Sequence, residues 1–212
     1  WIISSNIPIG QGLKSSSALS CAALKALNNA TWAGLNDFEI VDLAVSSQRH
    51  AECTISGSMD DTWASISSGW KLVDPYVSAD ESILLEGEME EDFSVFIMLR
   101  GRRSNNIDIQ TFKDQSPIFN RALSSLSSGS IFHAMSANGM AVAAATGDDE
   151  ALRICNNAIA NGAVSAAITG SGPAICVVCF VQDSKSIKEV LSRTNYEIIE
   201  SKFSNDNLIE LI

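Results

Sequence analysis

The sequence predicts an α+β fold in two parts, on three observations. Near its start a β-branched apolar run passes through a glycine-rich turn into an amphipathic helical pattern. Further on, Phe93-Ser94-Val95-Phe96-Ile97-Met98-Leu99 has the composition of a buried strand. Beyond it, strand and helix patterns alternate to the end in the manner of a βαβ-type unit with antiparallel strands. A length of 212 residues accommodates one large domain or two small ones. The boundary is placed near residue 90, giving parts at 1–90 and 91–212.

Taken in order, Trp1-Ile2-Ile3 reads as a short strand. The chain opens on it without an initiator Met, and an N-terminal portion is expected to precede it. Pro8-Ile9-Gly10-Gln11-Gly12-Leu13-Lys14-Ser15-Ser16-Ser17-Ala18 follows, and Ala18, Leu19, Ala22, Ala23, Ala26 and Leu27 then recur at helical spacing. This first helix is expected over about 16–28. A second runs from Asp37, its expected N-cap, to about Ala51, with Glu52 near its end. Residues 54–65 form a polar, glycine-containing loop entering a short helix. Gly69–Val73 turns back into a strand, and the acidic stretch Asp80–Asp92 reads as a surface strand and turn. The strand at 93–99 ends in Arg100-Gly101-Arg102-Arg103-Ser104-Asn105. Helices are expected over 118–126, 131–145 and 148–160. Residues 166–174 link a short strand to a strand at 175–181, before a helix at 184–193 and a last strand at 196–203.

The composition, 46% hydrophobic and 18% charged, is that of a globular protein. A formal net charge of −11 argues against a nucleic-acid partner, since phosphate backbones would repel the chain. No run reaches the length of a membrane span, and no signal segment opens the chain. Five cysteines, an odd number, sit mostly in apolar contexts. Cys176 and Cys179 lie three apart on a predicted strand and so face opposite sides, which disfavours a shared metal or a redox pair. Buried structural thiols in a reducing, cytoplasmic compartment follow. His50 and His133 read as helix-face residues. Homodimerisation stays open.

Three stretches carry chemistry. In the first, Gly10 and Gly12 permit unusual torsions and close approach, while Ser15, Ser16 and Ser17 stand where the free amides of a helix N-terminus favour an anion such as a polyphosphate. An ordinary well-capped strand–helix connection is the other reading. In the second, Glu52, Asp60 and Asp61 supply either dipole partners for a helix start or a base with a cation-holding carboxylate. In the third, Gly170-Ser171-Gly172-Pro173-Ala174 is either a tight turn or a nest of amides for an anion. Arg100, Arg102 and Arg103 concentrate basic charge at one strand end, either for solubility or to hold a carboxylate.

These stretches, in this order, resemble the GHMP kinase superfamily. Its phosphate loop, PxxxGLGSSA, is matched by Pro8–Ser17 with Lys14 where Gly is usual; its central motif by Ser58-Met59-Asp60-Asp61; its C-terminal glycine-rich loop by Thr169–Pro173. Gly12-Leu13-Lys14-Ser15-Ser16-Ser17-Ala18 resembles more specifically the archaeal-type shikimate kinase branch. The resemblance implies a ribosomal protein S5 domain 2-like N-terminal part, truncated at its start, and a ferredoxin-like α+β C-terminal part. It implies ATP and Mg²⁺ as cofactors and phosphorylation of the shikimate 3-hydroxyl. Pro8, Gly10, Gln11, Gly12, Leu13, Lys14, Ser15, Ser16, Ser17, Gly170, Ser171 and Gly172 would bind the nucleotide. Ser16 and Glu52 would reach the metal, and Asp60 would be catalytic. The arginine cluster, with Asp60, would hold shikimate or a similar hydroxy-carboxylate. The alternatives are another kinase of the superfamily, such as a homoserine kinase, or a catalytically silent ligand-binding protein of the same fold.

Overall fold

The computed structural model describes residues 2–89, 92–102 and 107–204. Their contacts form two compact units, one within Trp1–Leu13 and Glu91–Lys202, the other within Lys14–Glu90 and Phe203–Ile212.

The Lys14–Glu90 unit holds helices α1 (Ser15–Thr31), α2 (Asp37–His50) and α3 (Asp60–Ala64), and an antiparallel pair β1 (Trp70–Val73) and β2 (Ile83–Gly87). On α2 the buried residues Ile40, Val41, Ala44 and Val45 make one stripe, which joins Cys21 of α1 and Met59, Trp63 and Ile66 around α3 in a single core. Asn36, not Asp37, caps α2. Its side chain accepts from the Glu39 amide, and the Glu39 carboxylate accepts from the Asn36 amide, a reciprocal box that Asp37 cannot make one residue later. Trp63 is fixed by donating to Ser82 Oγ at 3.1 Å and by the edge of Phe38 at 5.6 Å between centroids.

The other unit carries a four-stranded antiparallel sheet of β3 (Phe93–Leu99), β4 (Ser165–Ile168), β5 (Ile175–Phe180) and β6 (Glu197–Ser201), in the order β4-β5-β3-β6. Helices α4 (Ile109–Asp114), α5 (Ser116–Ser127), α6 (Ile131–Ala145) and α7 (Asp149–Ala160) intervene between β3 and β4, and α8 (Ser184–Ser192) between β5 and β6. Strands and crossovers thus follow a βαββαβ order, the ferredoxin-like arrangement. The small residues of α6 let it lie close on the sheet: a Cβ at Gly139 would sit 2.4 Å from the Ala167 Cβ on β4. Phe96, Met98, Ile154, Ile175, Val177, Ile187 and Leu191 fill the core.

Two expectations need correction. Ile2 and Ile3 are exposed and not in a strand; they pair with no strand among the described residues, and a β-branched run without a partner gains no ladder. Trp1 lies outside the described residues. Helix α4 was not expected, being six residues long with its start set by Asp108, whose carboxylate accepts from the Gln110 amide. Asp148 caps α7 from outside the helix. All five cysteines are free, Cys21 and Cys179 buried. No described helix is long and apolar enough to cross a membrane.

Candidate functional site

Within the Lys14–Glu90 unit, α1 begins at Ser15 behind Lys14, whose backbone is left-handed (φ 61°) and whose side chain does not cap the helix. The first turn contains no acidic residue. A helix start with no capping side chain and no acidic residue in its own first turn keeps its amides and positive dipole end for another acceptor. Ser15 and Ser16 are partly exposed there. Ser17 is buried and turned inward, its hydroxyl donating to Gln48 Oε1 at 2.9 Å. Gln48 Nε2 donates in turn to Thr62 Oγ1 and the Ala44 carbonyl, both at 3.3 Å. Ser17, Gln48 and Thr62 therefore tie α1, α2 and α3 together, and the Ser17 hydroxyl is committed to that tie.

Lys14 forms an ion pair with Asp61 Oδ1, joining the start of α1 to the start of α3. Asp60 stands beside it. Partial burial disfavours the charge on Asp60, but the positive charge of Lys14 and hydrogen bonds from Ser58, Asp61 and its own backbone outweigh this and hold its pKa below the usual carboxylate range. Asp61 is pushed up to about 6, first by burial and then by the adjacent Asp60 charge, with Lys14 opposing. Two neighbouring carboxylates are thus driven apart in acidity. Glu52 follows the C-cap of α2 in a left-handed conformation (φ 51°), exposed. Among the described residues no group of three His, Cys, Asp or Glu side chains gathers as a metal cage. Mg²⁺ bound with nucleotide takes one or two protein oxygens besides phosphate and water. A partly exposed Ser16 hydroxyl and an exposed Glu52 carboxylate fit that donor chemistry.

In the unit built on β3–β6, Gly10 (φ 76°) stands beside Arg102 and Gly12 (φ 82°) lies against the 169–174 loop. A Cβ at Gly12 would meet the carbonyl oxygens of Gly172 and Thr169 at 2.6 and 2.7 Å, so only glycine permits this approach. The Ala174 amide donates to the Gln11 carbonyl at 3.0 Å, and the Gly101 amide to Gln11 Oε1 at 3.2 Å. The loop closes on itself through Gly172 N–H to the Thr169 carbonyl and Thr169 N–H to the Ala174 carbonyl, both 2.8 Å. Pro8 and Leu13 are partly buried, and Ser171 and Gly170 reach the surface of the loop. The stem of Arg102 passes beside Gly10, its Cγ 3.6 Å from where a Cβ would stand, and the residue is exposed.

Arg100, grouped with Arg102 on sequence, is placed differently. Its side chain is 7% exposed and its guanidinium donates to both Asp148 oxygens (2.8 and 2.7 Å), to Glu150 Oε2 (3.0 Å) and to the Pro173 carbonyl (3.1 Å). This fork is occupied from within the unit, which removes Arg100 from the residues open to a substrate carboxylate. Arg103 lies outside the described residues. Sequence reasoning missed Gln48, Asp148, Glu150 and Tyr196, whose hydroxyl donates to Glu150 Oε2 at 2.9 Å. Asp148-Asp149-Glu150 before an apolar pattern signals a helix start, but nothing in it points to an arginine 48 residues earlier.

Comparison with known proteins adds four findings. Residues 1–69 match the N-terminal domain of the GHMP kinases. A shikimate kinase of Methanobrevibacter smithii is 30% identical over 207 residues, covering 95% of this chain and 70% of that protein. One from Methanothermobacter thermautotrophicus is 25% identical over 212 residues, covering 97% and 71%. A solved phosphotransferase related to the CoA biosynthesis pathway shares the fold, with a TM-score of 0.75 at 16% identity over 95% of this chain and 66% of its own.

Proposed function

The chain belongs to the GHMP kinase family, in its shikimate kinase branch, and we propose that it transfers the γ-phosphoryl group of ATP to the 3-hydroxyl of shikimate. The observation that carries this reading is the ion pair of Lys14 with Asp61 beside Asp60. It ties the uncapped start of α1 to a carboxylate pair, and Lys14 is the residue by which the phosphate loop departs from the wider family pattern.

Phosphoryl transfer requires in-line positioning and charge neutralisation more than covalent chemistry. The amides at Ser15 and Ser16 and those of the Gly10–Gly12 segment would donate to phosphate oxygens, Gly170, Ser171 and Gly172 would line the nucleotide, and Lys14 adds a cation. Asp60, held ionised, accepts the hydrogen bond of the attacking hydroxyl and takes its proton as the oxygen–phosphorus bond forms and the bond to ADP breaks. Ser16 and Glu52 would hold Mg²⁺, which when bound neutralises charge on the β- and γ-phosphate oxygens. Arg102, exposed beside Gly10, is the arginine left to meet the shikimate carboxylate. The sequence boundary is assigned near residue 90, with parts at 1–90 and 91–212, although residues 1–13 pack within the unit of residues 91–202; the enzyme is assigned to the cytoplasm.

The test is ADP release by the full-length protein with Mg²⁺ATP, offered shikimate, homoserine and mevalonate separately. Turnover with shikimate alone is expected. Turnover with another alcohol only keeps the family and removes the substrate. ATP binding without turnover on any of them makes the protein a silent binder.

A further inference from the structure

We infer that Arg100 is a positioning residue: it fixes the 169–174 loop, and through it the Gly10–Gly12 segment, in the shape that the nucleotide meets. The inference rests on the reading that these loops bind the nucleotide, and it concerns one unit of the chain.

Arg100 follows the last residue of β3, the strand second from the edge of the sheet. Its planar fork is set on one side by both Asp148 oxygens and Glu150, while the same Nη1 that meets Asp148 also donates to the Pro173 carbonyl. The anchor is itself rigid. Asp148 accepts from the Ala151 amide at the start of α7, Glu150 accepts from the Tyr196 hydroxyl, and the Tyr196 ring lies 6.0 Å from the guanidinium carbon. Arg100 keeps both carboxyls more acidic than usual, so the network stays charged throughout the physiological range. Two carboxylates face one buried guanidinium, an arrangement that orients the arginine far more tightly than a single pair would.

From Pro173 the connections run directly to the phosphate loop. The next residue, Ala174, donates to the Gln11 carbonyl, and Gly12 packs on the carbonyls of Gly172 and Thr169 at a distance that admits no Cβ. The residue after Arg100 closes the same circuit, since the Gly101 amide donates to Gln11 Oε1. Arg100 therefore grips the loop from one side while its neighbour grips the Gly10–Gly12 segment from the other. A side chain that fits only one of these acceptors leaves the loop, with the Gly10–Gly12 segment bonded to it, free to shift, and a site that must be ordered on binding loses affinity for its ligand. Arg100 touches no phosphate in this account; it acts through Pro173.

The variants Arg100→Lys and Arg100→Ala test it in the full-length protein. A lysine ammonium can pair with Asp148 but cannot reproduce the fork, so Arg100→Lys is expected to fold, to raise the KM for ATP about tenfold and to leave the KM for shikimate within about twofold. Hydrogen exchange supplies a readout independent of activity: amides of 169–174 should exchange at least about tenfold faster in Arg100→Lys, with the β3 and β5 core amides unchanged. Added guanidinium ion should restore part of the loop protection in Arg100→Ala. A raised shikimate KM with unchanged ATP KM would make Arg100 a substrate contact and overturn the inference. Unchanged loop exchange beside a general loss of thermal stability would reduce Arg100 to a structural staple, and overturns it too. Faster loop exchange with no change in ATP KM instead leaves the positioning intact and refutes the phosphate role of the loops.

Discussion

Replacing Gly12 by alanine tests the contact on which the proposed phosphate geometry depends. Gly12 has φ of +82°, and a Cβ there would stand 2.6 Å from the Gly172 carbonyl oxygen, 2.7 Å from that of Thr169 and 2.8 Å from the Gly172 carbonyl carbon. A left-handed conformation costs an L residue about 1–2 kcal/mol. The overlaps fall on backbone atoms that cannot rotate away, which adds about 1–3 kcal/mol of packing strain. Separating the segments also loosens the Ala174 to Gln11 hydrogen bond, worth about 1 kcal/mol. Gly129 is the control: its φ is +79°, but a Cβ there would meet nothing within 4 Å, so Gly129→Ala carries the conformational cost alone. At about 2–4 °C per kcal/mol for a chain of this size, Gly129→Ala should lower Tm by a few degrees and Gly12→Ala by roughly three times as much. Differential scanning fluorimetry of both variants, with KM for ATP measured in parallel, makes the comparison. The KM should rise at least about tenfold in Gly12→Ala and stay unchanged in Gly129→Ala. A Gly12→Ala protein no less stable than Gly129→Ala would refute the close packing of the two loops.

Four further outcomes are expected. Asp60→Asn should lower kcat by about 10²–10⁴ while KM for ATP stays within about twofold; equal loss in both would deny Asp60 a transition-state role. Asp61 titrates near 6 in the folded chain against an ordinary 3.8, so the folded state binds the extra proton between these values and stability falls as pH rises through about 4 to 6. The Tm of Asp61→Asn relative to the parent should accordingly climb over that window, and a flat difference would contradict the raised pKa of Asp61. Ser17→Ala leaves Gln48 Oε1 buried without its donor and should cost about 1–3 kcal/mol in urea unfolding; a selective rise in KM for ATP would instead place the Ser17 hydroxyl on the nucleotide. Arg102→Ala should raise the KM for shikimate with little effect on ATP, and the reverse pattern would assign Arg102 to phosphate.

What the sequence disclosed followed from local physics. Apolar periodicity placed α2, because its burial pattern repeats within one element, and β-branched and aromatic composition placed the strand at 93–99; on α1 the spacing found the helix but not its buried face, since Leu19 and Leu27 are exposed and Ser17 and Cys21 are buried. The glycines at 10, 12, 170 and 172 were legible because left-handed backbone and close approach select glycine strongly. Side-chain partners distant in sequence were not. Ser17 reads like its two neighbours in a serine run, and only the position of Gln48 on α2 shows that one hydroxyl in three faces inward. Arg100 and Arg102 look alike as letters; their fates separate because β3 ends between Asp148 and Pro173, a junction set by tertiary structure. Lys14 could be read as a phosphate contact, but its pairing with Asp61 required α1 and α3 to be brought side by side.

The central claim is tested most directly by the identity of the product. Phosphorus and proton NMR of the reaction with shikimate and Mg²⁺ATP should show one new phosphomonoester whose phosphorus couples to the proton on C3, formed in step with ADP. A phosphoester on another hydroxyl, or ADP accompanied only by inorganic phosphate, would contradict it.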